Sequence, residues 1–537
     1  MTRTLDGLLT ERARAHPDRA ALHLPRPGYG ALPPGRRFAT TTFAQLDARV
    51  DAVAAGLLHA GVRPGMRTAL LVPPTADFFV LAFALLRLRA VPVLIDPGIG
   101  RDRVRSCLAE AAPEAFLGSA KAHLARLLLR WAPTARLLVT AGLGPPLGGV
   151  TLRRVEEAGR WRQPFVPTER PAGSPAAVLF TSGSTGAPKG VEHGEEQLMA
   201  QSELIQSLYD LGPDDVSLST FPPFALFGPV LGMTTVVPRM DPTRPADVVP
   251  ERVVSAARRF GATVVFGSPA LLDTLSRAGG SMPTVRRVIS AGAPVPRSVQ
   301  RRTLTMLGPG AQVFTPYGAT EALPVASIGS DELLGLPETG ICIGRAVPGV
   351  DVALVRVTDD PIAVMDPALL VGPGEIGEVV VRGAVVSPSY SDRPSATAAA
   401  KLRWDGEIAH RMGDLASWDA NGRLWFAGRK AHVVHTADGP MHSVPCEEVF
   451  NGHPGVRRTA LVAVGARGSS TPVLCVDLEP GVAASTRLTE ELLVLARADE
   501  RTRSITRVLY PPTFPVDIRH NSKIDRPQLG VWATGQP

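Results

Sequence analysis

The chain has 537 residues, 45% hydrophobic and 20% charged, which is ordinary for a soluble globular protein and long enough for about three to four core-forming units of ~150 residues each. Its net charge of +7 comes from 57 basic residues scattered among 50 acidic ones, with no run of five or six like charges, so the charge does not point to nucleic acid. The four cysteines (Cys107, Cys342, Cys446, Cys475) lie far apart with no metal-ligand spacing, which fits a reduced, cytoplasmic protein.

The first nineteen residues are too charged for a signal peptide. Phe43, Leu46, Val50, Val53, Ala54, Leu57 and Leu58 recur at helical spacing, and Gly61 closes that helix. Thr68 to Val72 reads as a buried strand. A helix follows at about Ala76 to Arg89, then a strand at Val91 to Ile95. The run from Phe78 to Asp96 is the most apolar of the chain, but it carries Arg87, Arg89 and Pro92. A buried helix running into a strand explains it better than an integral membrane segment. Helices at Asp102 to Ala112 and Lys121 to Leu129 continue an alternation that predicts an α/β fold with layered sheets.

Val178 to Gly190 reads VLFTSGSTGAPKG. An apolar, strand-prone start leads into Thr181, Ser182, Gly183, Ser184, Thr185 and Gly186, then Lys189. A helix with Leu198, Ile205 and Leu208 follows from Glu195 to Tyr209. Strand, loop, helix is the layout of a phosphate cradle, in which glycines let backbone N–H groups face an anion and the helix N-terminus adds positive potential. A Ser/Gly-rich surface loop is the plain alternative. The P-loop of nucleotide triphosphatases is excluded, because no Gly-Lys-Ser/Thr occurs here.

Further along stand Ser290-Ala291-Gly292-Ala293-Pro294 and Phe314-Thr315-Pro316-Tyr317-Gly318-Ala319-Thr320-Glu321. The tyrosine offers a flat face to a base. Thr320 and Glu321 offer a hydroxyl and a carboxylate to a phosphate and an oxygen-preferring cation. From about Val350, short strands such as Val352 to Val355 and Glu378 to Val381 alternate with Gly and Pro, predicting a small β-rich subdomain over about 345–429. It contains His410-Arg411-Met412-Gly413-Asp414 and Trp425-Phe426-Ala427-Gly428-Arg429. Asp414 is either a ribose acceptor or one half of a salt bridge with an arginine. The expected division is 1–429 as the large N-terminal domain and 430–537 as a small, mobile α+β C-terminal lid. The lid has strands near Ala460 to Val464 and Leu474 to Leu478, a helix near Thr489 to Arg497, and the motif His520-Asn521-Ser522-Lys523-Ile524-Asp525-Arg526.

Taken together and in this order, the motifs resemble the adenylate-forming (AMP-binding) superfamily of acyl-CoA synthetases, luciferases and nonribosomal adenylation domains, over nearly the whole chain. The resemblance implies ATP and Mg2+. Thr181 to Gly186 and Lys189 would form the phosphate loop, with Thr181 and Lys189 in the catalytic set. Gly292, Ala293 and Pro294 would meet the adenine edge, Tyr317 with Gly318 would stack on adenine, and Thr320 would reach a phosphate. Glu321 would hold Mg2+, Asp414 the ribose, and Arg429 would precede a hinge near Ala431, where many relatives carry Asp. Lys523 would be the catalytic lysine, with Ser522 standing where the family has Gly.

Three features bear on the second half-reaction. Ala225 stands where many acyl-CoA synthetases carry His. The stretch Val433 to Glu447 lacks the turn that shapes a CoA tunnel. Strings such as TFPPFALFGPVLGMTTVVPRMDPTRPA, TPYGATEALPVA, TADGPMHSVPCEEVFNGHP and FPVDIRHNSKIDR are similar to the OleC-type β-lactone synthetases of olefin biosynthesis. That subgroup implies a ligase that adenylates a long-chain, alkyl-substituted β-hydroxy fatty acid. The acid's own hydroxyl then closes a lactone and expels AMP. The substrate is a small molecule; assembly with other enzymes of the same lipid pathway is the further partner it implies. Phe224, Ala225, Phe227, Gly267 and Ser268 are the expected pocket residues, though core packing explains any one of them equally well. A long-chain fatty-acyl-CoA or carrier-protein ligase would share every adenylation motif. A non-catalytic adenylate binder should have lost a key residue, yet Lys189, Glu321, Asp414, Arg429 and Lys523 are all present. Sequence leaves the base for lactone closure open among Glu192, His193 and His442.

Overall fold

The computed structural model describes residues 3–161, 165, 169–180, 188–516 and 524–536. The helix Phe43–Ala60 shows how closely local chemistry sets the elements. Thr42 and Gln45 form a capping box at its start, and Gly61, at φ 109°, ends it in the left-handed region. Its apolar stripe enters one large core together with helix Ala76–Arg87, where Phe79, Val80, Leu81 and Leu85 are fully buried.

Arg87 lies inside that core at 3% exposure. Its guanidinium meets Asp47 and Asp51, each at 2.6 Å, and Arg89 reaches Asp6 at 2.6 Å. Buried charge is tolerated where it is paired and hydrogen-bonded, which explains how the most apolar run of the sequence accommodates two arginines. Among the described residues no helix is long and apolar enough to cross a membrane.

Three large sheets organise residues 20–429. The first has eight strands in the order Ser389–Tyr390, Gly190–His193, Ala177–Phe180, Val91–Ile95, Arg67–Leu71, Ala115–Ser119, Leu137–Ala141, Val150–Thr151. It is parallel except at the two junctions made by Gly190–His193, which are antiparallel. The second has seven strands: Gln312–Phe314, Arg287–Ile289, Val264–Phe266, Val216–Ser219, Thr234–Val236, Ala20–Pro25 and Phe38–Thr42. Only its last pair is antiparallel. The third is antiparallel, running Tyr317–Ala319, Ala322–Ser327, Ile341–Ala346, Leu424–Arg429, Glu407–Trp418, Gly377–Gly383, Val350–Val355, with Lys401–Trp404 flanking Glu407–Trp418. This β-rich sheet thus takes its first strand from Tyr317, well before the change of texture near Val350. After Arg429 come a hairpin (Val434–Thr436 with Gly439–Met441), helix Ser443–Asn451, and a sheet of Val456–Val464, Thr471–Leu478 and Arg507–Leu509.

One local expectation is corrected. Helix Glu195–Leu208 does not follow the 181–189 stretch directly. Gly190–His193 intervenes as a strand, pairing back on Ala177–Phe180. Gly190 must lie close to its partner here, because a Cβ would strike the Phe180 ring. The helix begins only after Gly194, with Glu195 and Glu196 in its first turn, and Glu195 is already paired with Arg170 at 3.1 Å. Its N-terminal potential is therefore spent on its own carboxylates.

Candidate active site

Parallel strands deliver their loops at one end of a sheet, so ligand-binding residues collect outside the strands' carboxyl ends. Residues 267–268, 290–294 and 315–316 leave the second sheet in this way, after Val264–Phe266, Arg287–Ile289 and Gln312–Phe314, while Pro188 and Lys189 precede the strand Gly190–His193 of the first sheet. They meet the third sheet around a cleft of about 2140 Å³. Lys189, Gly292 to Pro294, Tyr317 to Glu321, Asp414 and Arg429 all line it, as do Ile524 and Arg526 from beyond residue 430. The structure thus brings together, from five distant stretches, motif residues that it describes. Thr181, Ser182, Gly183, Ser184, Thr185, Gly186, Ser522 and Lys523 lie outside the described residues.

Tyr317 to Glu321 spans the turn of a hairpin at the edge of the third sheet. Gly318 is required there, because a Cβ would come within 2.7 Å of the Ala322 carbonyl. The Tyr317 hydroxyl donates to Asp414 Oδ2 at 2.8 Å. Burial, reinforced by that carboxylate, holds the phenol's pKa well above its ordinary value, so it remains a donor. Asp414 and Arg429 are cross-strand partners, with Nε 3.3 Å from Oδ1. The carboxylate is 4% exposed and yet borders the cleft. Asp414 is thus one half of a salt bridge with an arginine, the second of its two sequence alternatives, and it stands at the wall of the cleft.

Glu321 Oε1 accepts a 2.7 Å hydrogen bond from the Tyr390 hydroxyl. The Lys189 ammonium sits 4.7 Å from the centre of the same tyrosine ring. No cluster of three or more His, Cys, Asp or Glu occurs among the described residues. A single carboxylate oxygen donor suits Mg2+, which takes one or two protein carboxylates and fills its other positions with water and substrate phosphates.

Behind Glu321 lies a group that sequence reading passed over. The Lys401 ammonium donates to the Ser387 carbonyl at 2.5 Å and to its hydroxyl at 3.1 Å. Burial pulls its pKa down to about 7, with Glu321 opposing the shift. His193 and His410, both almost fully buried, are held neutral mainly by burial and then by Lys401. Between about 7 and the ordinary 10.5, the unfolded chain binds a proton at Lys401 that the folded chain does not, so stability rises with pH across that window. Lys401→Met removes that titration. The melting temperature of the variant minus that of wild type is expected to be highest near pH ~6 and to fall toward pH ~10. A difference that stays flat with pH would show that this amine is not buried in the charged-to-neutral balance described.

The three bases left open by sequence fare differently. Glu192 is engaged by the Ser389 hydroxyl at 2.7 Å and by Arg67 at 3.4 Å. His442 does not border the cleft, whereas His193 does. Burial lowers the His193 pKa to about 4. Neither ring nitrogen makes a well-formed hydrogen bond, although the Thr320 backbone favours the protonated ring.

Apolar lining comes from Phe221, Phe224, Phe227 and Phe266, with Phe224 stacked on Phe266 at 4.0 Å. Ser268 also lines the cleft. Two expected pocket residues do not. Ala225, at 1% exposure, faces inward from the short helix Pro222–Ala225 into the core with Leu198 and Val230. Gly267 is set back against the Leu271 side chain. Successive residues of a helical turn point about 100° apart, so Phe224, Leu226 and Phe227 reach the cleft while Ala225 between them turns into the core.

The segment after Arg429 packs closely. Gly428, at φ 117°, is in the left-handed region, and a Cβ there would collide with the Ser443 hydroxyl. Ala431 lies in the turn Lys430–His432 beside the cleft. Ile524, the first described residue after 523, bridges to Val516, and Arg526 makes a bidentate pair with the buried Glu447, Nε to Oε1 at 3.1 Å and Nη2 to Oε2 at 2.6 Å. Missed by sequence reading were Tyr390, Arg393, Lys401 and Glu110. The signal available for the first two was the short polar string Ser389-Tyr390-Ser391-Asp392-Arg393-Pro394.

A layered α/β body whose strand-end loops meet an antiparallel sheet around Tyr317, Glu321 and Asp414 is the arrangement of an adenylate-forming enzyme. The AMP-binding enzyme family matches residues 9–391, and the chain belongs to that family. It is 47% identical over 542 residues, 98% of this chain and 97% of the relative, to an olefin β-lactone synthetase of Stenotrophomonas maltophilia (strain K279a). A second olefin β-lactone synthetase, from Xanthomonas campestris pv. campestris, is 46% identical over 98% of this chain and 97% of its own. Among solved structures, the amide bond synthetase McbA of Marinactinospora thermotolerans superposes with a TM-score of 0.79 at 24% identity, covering 99% of this chain and 100% of its own; this likeness concerns the fold.

Proposed function

We propose that the chain is an ATP-dependent β-lactone synthetase acting on a β-hydroxy fatty acid. The observation that carries this reading is the 47% identity to an olefin β-lactone synthetase along 98% of the chain. The site's chemistry agrees with it. In the first half-reaction, a carboxylate oxygen of the acid attacks the α-phosphorus of ATP and diphosphate leaves. Lys189 and the 181–186 loop hold phosphates, Tyr317 stacks on adenine beside Gly292 to Pro294, and Asp414 accepts from the ribose hydroxyls next to Arg429. Glu321 would hold Mg2+, which when bound would neutralise phosphate charge. Lys523 meets the negative charge that grows on the α-phosphate.

In the second half-reaction the β-hydroxyl oxygen attacks the acyl carbon. The acyl–phosphate bond breaks, AMP departs, and the hydroxyl proton is lost to a base. The nucleophile is tethered to its own electrophile, so effective concentration replaces a second substrate. The phenylalanine wall (Phe221, Phe224, Phe227, Phe266) suits alkyl chains. Residues 430–537 act as the lid, turning near Ala431. Cytoplasmic location fits four cysteines that are all free and buried. Assembly with other enzymes of the same lipid pathway belongs to this reading.

The test is product analysis. A β-hydroxy fatty acid, ATP and Mg2+ should give β-lactone, AMP and diphosphate without CoA. The same chain lacking the hydroxyl should stop at the acyl-adenylate. Turnover only with added CoA, yielding a thioester by mass spectrometry, would overturn the lactone step in favour of an acyl-CoA ligase.

A further inference from the structure

The segment Ser389–Arg393 grips the far end of the phosphate loop along its whole length. The Ser389 hydroxyl donates to Glu192 at 2.7 Å, and Tyr390 pairs with Val191 across the antiparallel strands. The Ser391 N–H donates to the Gly190 carbonyl at 2.7 Å. Arg393 donates to the Pro188 carbonyl at 3.1 Å and forms an ion pair with Glu110, which in turn accepts from the Gly190 N–H at 3.3 Å. The segment that carries Tyr390 is therefore fixed to the residues on both sides of Lys189, Pro188 and Gly190.

Its side chain joins two different sheets. The backbone belongs to the first sheet, while the hydroxyl reaches Glu321, at the edge of the third, at 2.7 Å. The Lys189 ammonium rests over the ring, 4.7 Å from its centre. One 6%-exposed side chain thus touches both the cation of the phosphate loop and the carboxylate read as the metal ligand. By occupying Oε1 from a fixed direction, the phenol restrains the carboxylate of a residue that lines the cleft. A glutamate so held loses less rotamer freedom when a cation binds than one left to rotate.

The geometry points to Tyr390 as a positioning residue that sets the metal affinity of the nucleotide site, aiming Glu321 at the cation while its ring carries Lys189. This rests on the reading of Glu321 as the metal carboxylate. It makes the phosphate loop and the metal site one mechanical unit.

Tyr390→Phe keeps the ring, the strand pairing and the Lys189 contact, and removes only the hydroxyl. Mn2+ binding to the complex with a non-hydrolysable ATP analogue, read by electron paramagnetic resonance, is expected to weaken about tenfold, the size of a lost hydrogen bond to a charged group. The metal concentration that gives half-maximal diphosphate release should rise by the same factor, and excess metal should restore the rate. Tyr390→Leu also removes the ring, and should in addition weaken nucleotide binding measured without metal. A folded Tyr390→Phe protein, checked by its melting curve, that binds Mn2+ like wild type would overturn the inference. Glu321→Gln separates the two levels. If it weakens Mn2+ binding and Tyr390→Phe does not, the metal reading stands and Tyr390 has no positioning role. If neither variant changes Mn2+ binding, Glu321 is not the metal carboxylate and both statements fall.

Discussion

Lys523→Ala is expected to slow acid-dependent diphosphate release by about 10²–10³-fold while ATP still binds, because a cation aimed at a developing charge acts in the transition state far more than in the ground state. The expectation rests on the family motif around Lys523, and on the way the chain returns from it. Ile524 lines the cleft, and Arg526 is locked to Glu447 within the segment that follows residue 430. The measurement is a single-turnover assay of diphosphate release, with nucleotide binding followed separately. A variant that releases diphosphate at nearly the wild-type rate would remove Lys523 from the chemistry.

Asp414→Ala is expected to weaken ATP binding by about 10²-fold or more, since two hydrogen bonds from ribose hydroxyls to a charged acceptor are each worth roughly 1.5–3 kcal/mol. The same change takes an acceptor from the Tyr317 hydroxyl at 2.8 Å and a counter-charge from Arg429 at 3.3 Å. Stability should therefore fall as well, and the melting temperature has to be measured beside the dissociation constant. If the protein loses stability but keeps its affinity for ATP, Asp414 serves only its arginine and its tyrosine. Calorimetric titration with ATP at a temperature where the variant is folded distinguishes the two.

Elements whose signal is local were readable from sequence. Phe43 to Leu58 declared a helix by spacing, and Gly61 marked its end, because a 3.6-residue period and a left-handed cap need no knowledge of the rest of the chain. The motif residues Lys189, Tyr317, Glu321, Asp414 and Arg429 were also readable, and they do line one cleft. What escaped is set by partners far along the chain. Tyr390 is unremarkable until it lies 69 residues from Glu321 in sequence and 2.7 Å away in space. Glu110 and Arg393 are 283 residues apart, so neither announces the other. Gly190-Val191-Glu192-His193 is too short to carry a strand period, and only its pairing with Ala177–Phe180 makes it a strand. Ala225 was singled out because it stands where many acyl-CoA synthetases carry His, within an apolar stretch expected to line a pocket, but the direction of a side chain on a four-residue helix is decided by packing that sequence does not reveal.

The reversed strand Gly190–His193 near the border of the first sheet also imposes an order on biosynthesis. Gly190–His193 receives its outer neighbour from Ser389–Tyr390, and the bridging contact between Ser389 and Glu192 spans 197 residues. At roughly 5–20 residues per second, a ribosome needs about 10–40 s to supply that neighbour. Throughout that interval the border strand presents unpaired backbone groups of the kind that recruit foreign strands. The segment that closes it also brings Tyr390 to Glu321 and Arg393 to Pro188. Protection of the nascent border and assembly of the nucleotide grip are therefore one event. A chain halted before residue 389 would leave the ribosome with both undone.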